Sequence, residues 1–142
     1  MASLAVDIMS PERLVLQTQA DSVVVPAADG ELGILPNHAP LLAQLEPGTI
    51  RLRRGENVEF FAVSGGFMEV INNHISIFAE TAEMAQEIDL ERARLAAERA
   101  KAKLKAAKTD VDLAQAEAAL RRAVARLRAT EGIRRGQKAV YR

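Results

Sequence analysis

Apolar and polar residues follow two different periods along the chain, and the change falls near residue 85. Before it the period is two. Leu4, Val6 and Ile8 alternate with Ala5, Asp7 and Met9, the pattern of a strand with one buried face. Leu14-Val15-Leu16 follows a Ser10-Pro11 turn, and Val23-Val24-Val25 stops at Pro26. Asp29-Gly30 is a turn dipeptide. Ile50-Arg51-Leu52-Arg53 alternates into the Arg54-Gly55-Glu56-Asn57 turn, and Phe60 to Val63 ends at Ser64-Gly65-Gly66. Phe67 to Ile71 and Ile75 to Phe78 flank Asn72-Asn73; asparagine tolerates positive φ, so the pair suits a tight hairpin turn. About nine or ten short strands with turns at regular spacing predict an all-β sandwich of two packed sheets.

From residue 87 the period becomes helical. Leu90, Ala93, Ala97, Ala100, Leu104 and Ala107 are spaced three and four apart, and Leu113, Ala116, Leu120, Ala123 and Leu127 repeat the spacing. This predicts two amphipathic helices with a narrow, Ala-rich seam. Asp89 is placed to cap the first helix, with Glu91 in its first turn. Lys108-Thr109-Asp110 interrupts the pattern, and Thr109 or Asp110 can cap the second. So short a connection makes the helices antiparallel neighbours. The fold class is therefore α+β in two parts: a β-sandwich over residues 1–84, then an α-helical hairpin over residues 85–142. Residues 131–138 contain Gly132 and Gly136, break the helical pattern and are basic; the pattern does not decide between a frayed end and a segment ordered by a partner.

The seam has an energetic consequence. At about 25 cal/mol per Å² of buried apolar surface, alanines supply much less than leucines. Ala, Arg, Lys, Leu and Glu also give each helix high intrinsic propensity. The helices are thus expected to be stable singly and docked weakly, so that the hairpin can open without melting.

Charge sharpens the division. Lys+Arg and Asp+Glu are 19 each, a net of zero. Residues 1–84 carry four basic and eleven acidic side chains, a net of −7; residues 85–142 carry fifteen and eight, a net of +7. Composition adds that all five prolines fall in the first 47 residues, and that neither Gly nor Pro occurs between Gly66 and Gly132. Cysteine is absent, which excludes disulfides, zinc-thiolate sites and thiol catalysis. Two histidines are too few for a His-only metal site. No apolar run approaches the roughly 20 residues of a membrane span, and the N-terminus lacks the basic start and apolar core of a signal peptide. An intracellular-type protein that meets a membrane only through partner proteins is expected.

Catalytic signatures do not present themselves. No serine sits in a G-x-S-x-G elbow, and there is no Walker-type phosphate loop. Ser64-Gly65-Gly66-Phe67 lies between strand patterns and reads as a bulge or turn rather than a ligand loop. His38, in Pro36-Asn37-His38-Ala39-Pro40, has no acid or second histidine at useful spacing and reads as structural or interfacial. His74 reads as a surface residue. Arg92 and Arg99 are seven apart and share a helix face; Arg122 and Arg126 are four apart on the second helix. Closing the hairpin could bring four guanidiniums together, and the guanidinium fork suits phosphate oxygens. A solvated charged face is the commoner outcome of such a pattern. Nucleic acid is not expected: the helices carry no aromatics for stacking, and Glu98, Asp110, Asp112 and Glu117 interrupt the positive field.

The segment from Asp29 to Leu41, DGELGILPNHAPL, resembles the signature of the epsilon subunits of bacterial and chloroplast-type rotary ATP synthases. Gly65-Gly66-Phe67-Met68-Glu69-Val70 is similar to that family's G-G-F/V-x-E-V segment, and Ile88-Asp89-Leu90-Glu91-Arg92-Ala93 to its helix entry. The resemblance runs in order over essentially the whole chain. It implies a non-catalytic subunit of the central stalk, peripheral on the cytoplasmic face of a bacterial membrane, that couples the gamma subunit to the c-ring. Glu31 and His38 match the region that meets the c-ring loops and gamma. The hairpin would rest on the sandwich when folded. Extended, it would contact gamma and the alpha/beta catalytic head and block rotation in the hydrolysis direction. No cofactor is required. Some members bind ATP as a regulatory ligand that holds the folded state, and the ligand residues correspond here to Glu83, Asp89, Arg92, Arg99, Arg122 and Arg126. A free-standing ATP-sensing interaction protein is the alternative, separable by whether the chain co-purifies with gamma. An enzyme built on His38 is a remote third.

Overall fold

The computed structural model describes the backbone of residues 3–140 and the side chains of residues 3–131. Ten strands come first: β1 (Leu4–Met9), β2 (Leu14–Ala20), β3 (Ser22–Ala27), β4 (Gly30–Ile34), β5 (Leu41–Leu45), β6 (Gly48–Arg54), β7 (Asn57–Val63), β8 (Gly66–Ile71), β9 (His74–Ala79) and β10 (Ala82–Met84). A single 3-10 turn, Ala85–Glu87, leads to the helices α1 (Leu90–Ala106) and α2 (Asp110–Val140).

The strands form two layers. β10, β7, β6, β3 and β4 make one; β5, β8, β9, β1 and β2 make the other. One register pair, Ala27 with Leu45, links β3 to β5, so the hydrogen bonding is continuous from layer to layer. The expected two sheets are thus joined at a corner. Pairing is antiparallel except between β1 and β9. Asp21 alone separates β2 in one layer from β3 in the other. The β7–β8 and β9–β10 crossings bind each other: Ser64 Oγ accepts from Thr81 N at 2.9 Å, and Glu80 N donates to Gly65 O at 3.0 Å.

The period-two residues fill the space between the layers. Leu4, Val6, Ile8, Val23, Val25, Ile50, Leu52, Phe61, Val63, Met68, Val70, Ile75 and Ile77 are all buried. β3 runs on through Pro26, past the expected stop. Pro26 uses only its carbonyl on the β5 side, where it accepts from Glu46 N at 2.9 Å, so its missing N–H costs no ladder bond. Asn72 and Asn73 take φ of 50° and 61°, as the hairpin turn between β8 and β9 requires.

α2 packs on β6 and β7, against the outer face of the first layer, and α1 packs on α2. This second cover explains the unbroken buried run Phe61-Ala62-Val63: Phe61 and Val63 face the core, while Ala62 joins Ala85 and Ala129 beneath α2. Asp89 caps α1, its Oδ1 accepting from Arg92 N at 3.1 Å. Of the two candidate caps for α2, Thr109 serves, accepting from Asp112 N at 3.1 Å. The helix backbone continues to Val140, across the glycines where the pattern breaks.

The seam differs from expectation in its leucines. Ala93, Ala97 and Ala100 of α1 and Ala116 and Ala123 of α2 are buried, but Leu113 is exposed and Leu90, Leu104, Leu120 and Leu127 are only half-buried. Axes that approach closely leave room for methyl groups alone, and longer side chains move to the flanks.

Candidate functional site

Five of the six residues expected at a ligand site line one cleft of about 360 Å³. Glu83 comes from β10; Asp89 is the cap of α1, and Arg92 and Arg99 lie along it; Arg126 comes from α2. Glu87, Ile88, Ala93, Leu95 and Ala96 complete the wall. Sandwich, linker and both helices therefore all contribute. The cleft carries three acids and three arginines beside an apolar strip of Ile88, Ala93, Leu95 and Ala96.

Arg126 Nε donates to Glu83 Oε1 at 2.8 Å, and Arg126 Nη2 lies 2.7 Å from the same oxygen. Arg13, from the β1–β2 turn, lies 3.7 Å from Glu87. Neither Arg92 nor Arg99 is paired with an acid among the described residues. Two guanidiniums two turns apart on one face of α1 are thus available to an anion.

Arg122 is the exception. It lines a separate groove with Lys103, Asp112 and Gln115, floored by alanines of both helices. α2 runs antiparallel to α1, so Arg122 sits one turn nearer the hairpin's closed end than Arg126. The four arginines do not converge as expected: three share the cleft and one stands outside it. Glu87, Leu95 and Ala96 were missed. Asp89, Arg92, Ala96 and Arg99 are spaced 3, 4 and 3, a stripe beside the Ala seam that could have announced the last of these.

The two residues expected at partner contacts lie on the sandwich. Glu31 is exposed on β4 and pairs with Arg51 at 3.0 Å. His38 sits in the β4–β5 loop, its Nδ1 2.7 Å from Ala39 O. That loop is pinned to the β8–β9 turn: Asn37 N donates to Asn73 Oδ1 at 2.5 Å, and Asn73 Nδ2 donates to Asn37 Oδ1 at 3.3 Å.

A further surface was not foreseen. Phe67, Phe78, Met9 and Leu14 are neighbours in register across β8, β9, β1 and β2. Phe67 is 56% exposed, Phe78 48% and Leu14 53%, and Leu42 on β5 is 72% exposed. This apolar outer face lies on the side of the sandwich opposite the hairpin.

The molecule is of the arm-and-platform class: a sandwich with one face under a helical arm and the opposite face apolar and open. Residues 3–85 match the family described as ATP synthase, Delta/Epsilon chain, beta-sandwich domain, and residues 86–131 match its long alpha-helix domain. An ATP synthase epsilon chain of Desulforamulus reducens is 53% identical over 98 residues, 69% of this chain and 74% of the relative. One of Moorella thermoacetica is 52% identical over 106 residues, 74% and 79% of the two. A chain in the solved mitochondrial ATP synthase of Euglena gracilis, in an assembly with the c-ring, superposes with a TM-score of 0.76 at 26% identity, over 85% of this chain and 77% of that one. A chain in the Tetrahymena thermophila central stalk and c-ring shares the fold at a TM-score of 0.65 and 18% identity, over 89% of this chain and 96% of that one. The chain belongs to the delta/epsilon family of ATP synthase chains, as an epsilon-type, non-catalytic subunit of the enzyme's stalk.

Proposed function

We propose that the sandwich joins the gamma subunit to the c-ring in the rotor, and that the hairpin is a nucleotide-controlled brake on ATP hydrolysis. The apolar outer face around Phe67 and Phe78 supports a broad contact with gamma. Glu31, exposed on β4, and the half-buried His38, in a loop that exposes Leu35 and Asn37, suit the c-ring end. The folded arm holds ATP in the cleft, with its phosphates on Arg92, Arg99 and Arg126. When ATP is scarce the arm extends, and its excess positive charge engages gamma and the acidic surface of the alpha/beta head. The complex would hold the chain on the cytoplasmic face of the membrane; among the described residues no helix is long and apolar enough to cross one.

The observation that carries this reading is the composite cleft. Glu83 belongs to the platform and Arg92, Arg99 and Arg126 to the arm, so a ligand there binds only the folded arrangement. Such a ligand stabilises that arrangement by RT ln(1 + [L]/Kd). Titration calorimetry of the isolated subunit with ATP tests it. Losing one charge-assisted contact weakens binding about tenfold or more. Arg92→Ala and Arg126→Ala are expected to do so, and Arg122→Ala to have the smaller effect. Wild-type heat of binding that survives unchanged in both R92A and R126A would sink the nucleotide site. The rotor assignment would then rest on co-purification with gamma.

A further inference from the structure

The folded arm is held to the platform by few polar contacts. Among the described residues, α2 makes three with the sandwich: Arg126 with Glu83, Arg121 with Glu46, and Thr49 Oγ1 donating to Ala125 O at 3.2 Å. The first lies in the ligand cleft. The other two lie outside it and come from one short stretch, the β5–β6 turn and the start of β6.

That turn is well fixed. Glu46 N donates to Pro26 O at 2.9 Å, and Gly48 sits directly on the Pro26 ring. Glu46 is therefore presented at a set place, and Arg121 Nη2 donates to its Oε2 at 2.9 Å. Thr49, three residues on, meets α2 one helical turn further along. The fully buried apolar residues of the same interface are alanines: Ala125 and Ala129 of α2, the latter against Ala62 and Ala85, with Phe60 and Ile88 half-buried beside them. Where the fully buried contacts are methyl groups, a single ion pair is a readable part of the closing equilibrium.

We infer that Arg121 and Glu46 form a second latch, which holds the arm closed independently of any ligand in the cleft. Its partners are 54% and 31% exposed, so its contribution is that of a solvent-exposed pair: about two- to fivefold in the open-to-closed ratio. The pair is screened by salt, so part of the closed population depends on ionic strength. A ligand in the cleft acts on top of this ratio. When fewer molecules are closed before binding, the apparent affinity falls in proportion.

The full chain, which lacks native cysteine, can carry dyes at Glu56→Cys and Lys108→Cys, on the sandwich and at the hairpin's closed end. Single-molecule energy transfer without nucleotide then reads the open-to-closed ratio. Arg121→Gln and Glu46→Gln should each raise it about two- to fivefold, and the reversed pair Glu46→Arg with Arg121→Glu should return it toward wild type. Raising salt from about 0.05 M to 0.5 M should open the wild type and narrow its gap from R121Q. Wild-type and R121Q distributions that coincide at low salt overturn the latch, as does a reversed pair no more closed than R121Q. Both readings are taken without nucleotide. A wild type that ignores ATP therefore refutes the cleft's ligand and leaves the latch to be judged on its own ratio.

Discussion

Gly48 illustrates how single atoms set the platform. A Cβ at this position would lie 2.5 Å from Pro26 Cβ and 2.8 Å from Pro26 Cγ, and a proline ring cannot rotate away. Gly48→Ala should cost about 1–3 kcal/mol, seen as a lower urea midpoint with an unchanged slope. Asn73 works differently. Its positive φ makes the turn, while its side chain holds the β4–β5 loop. Asn73→Gly keeps the turn and removes the tether. Global stability should fall by only about 1 kcal/mol, while the Asn37 amide exchanges much faster by NMR. The sequence announces the turn, since Asn-Asn between two alternating runs has few other uses. It does not announce the tether, because nothing in local pattern relates residue 37 to residue 73. The same holds at the cleft. Asp89, Arg92 and Arg99 share one helix and could be grouped by counting. Glu83 and Arg126 meet only because β10 and α2 are brought together by the whole fold.

At the scale of elements, the seam is the most sensitive feature. Ala97 and Ala100 are 6% and 2% exposed, in a contact that admits methyl groups only. Ala97→Leu should force the helices apart while leaving each one helical. Far-UV circular dichroism is expected to keep its helical signal as the energy-transfer ratio shifts to open. Loss of helix in step with opening would mean that the helices depend on their docking. Thr109→Ala removes the α2 cap at a cost of about 1 kcal/mol, localised by exchange to the first turn of α2. Periodicity located both helices, the cap of α1 and the alanine positions of the seam. It failed for Leu113, because a stripe at three-four spacing says which side faces a neighbour and not how near the neighbour lies. It also failed for Arg122: four-residue spacing places two side chains on one face, yet antiparallel packing moves them a turn apart along the partner.

Across the whole molecule the two faces of the sandwich differ in composition. The hairpin side carries alanines with Phe60 and Ile88 beside them, a threonine and ion pairs; the opposite side exposes Phe67, Phe78, Leu14 and Leu42. Replacing Phe67 and Phe78 together by serine should leave stability within about 1 kcal/mol, because neither fills the core. It should cut affinity for purified gamma by tenfold or more in surface plasmon resonance; undiminished binding would place gamma elsewhere. In β8 and β9 Glu69, His74 and Ser76 share the face of the two phenylalanines, so the alternation already turns Met68, Val70, Ile75 and Ile77 inward, and their burial bears this out.

The stacking of α1 on α2, and α2 on the platform, also puts the layers in a fixed order, like cards in a deck. α1 lies outermost and can lift away while its neighbour stays in place; α2 cannot leave without carrying or shedding the helix above it. A protease acting on the native protein should therefore cut α1 and the Lys108 junction before it reaches the α2 segment over β6 and β7. Early fragments would keep that segment with the sandwich, and the history of the arm's departure would be written in the order of the cuts.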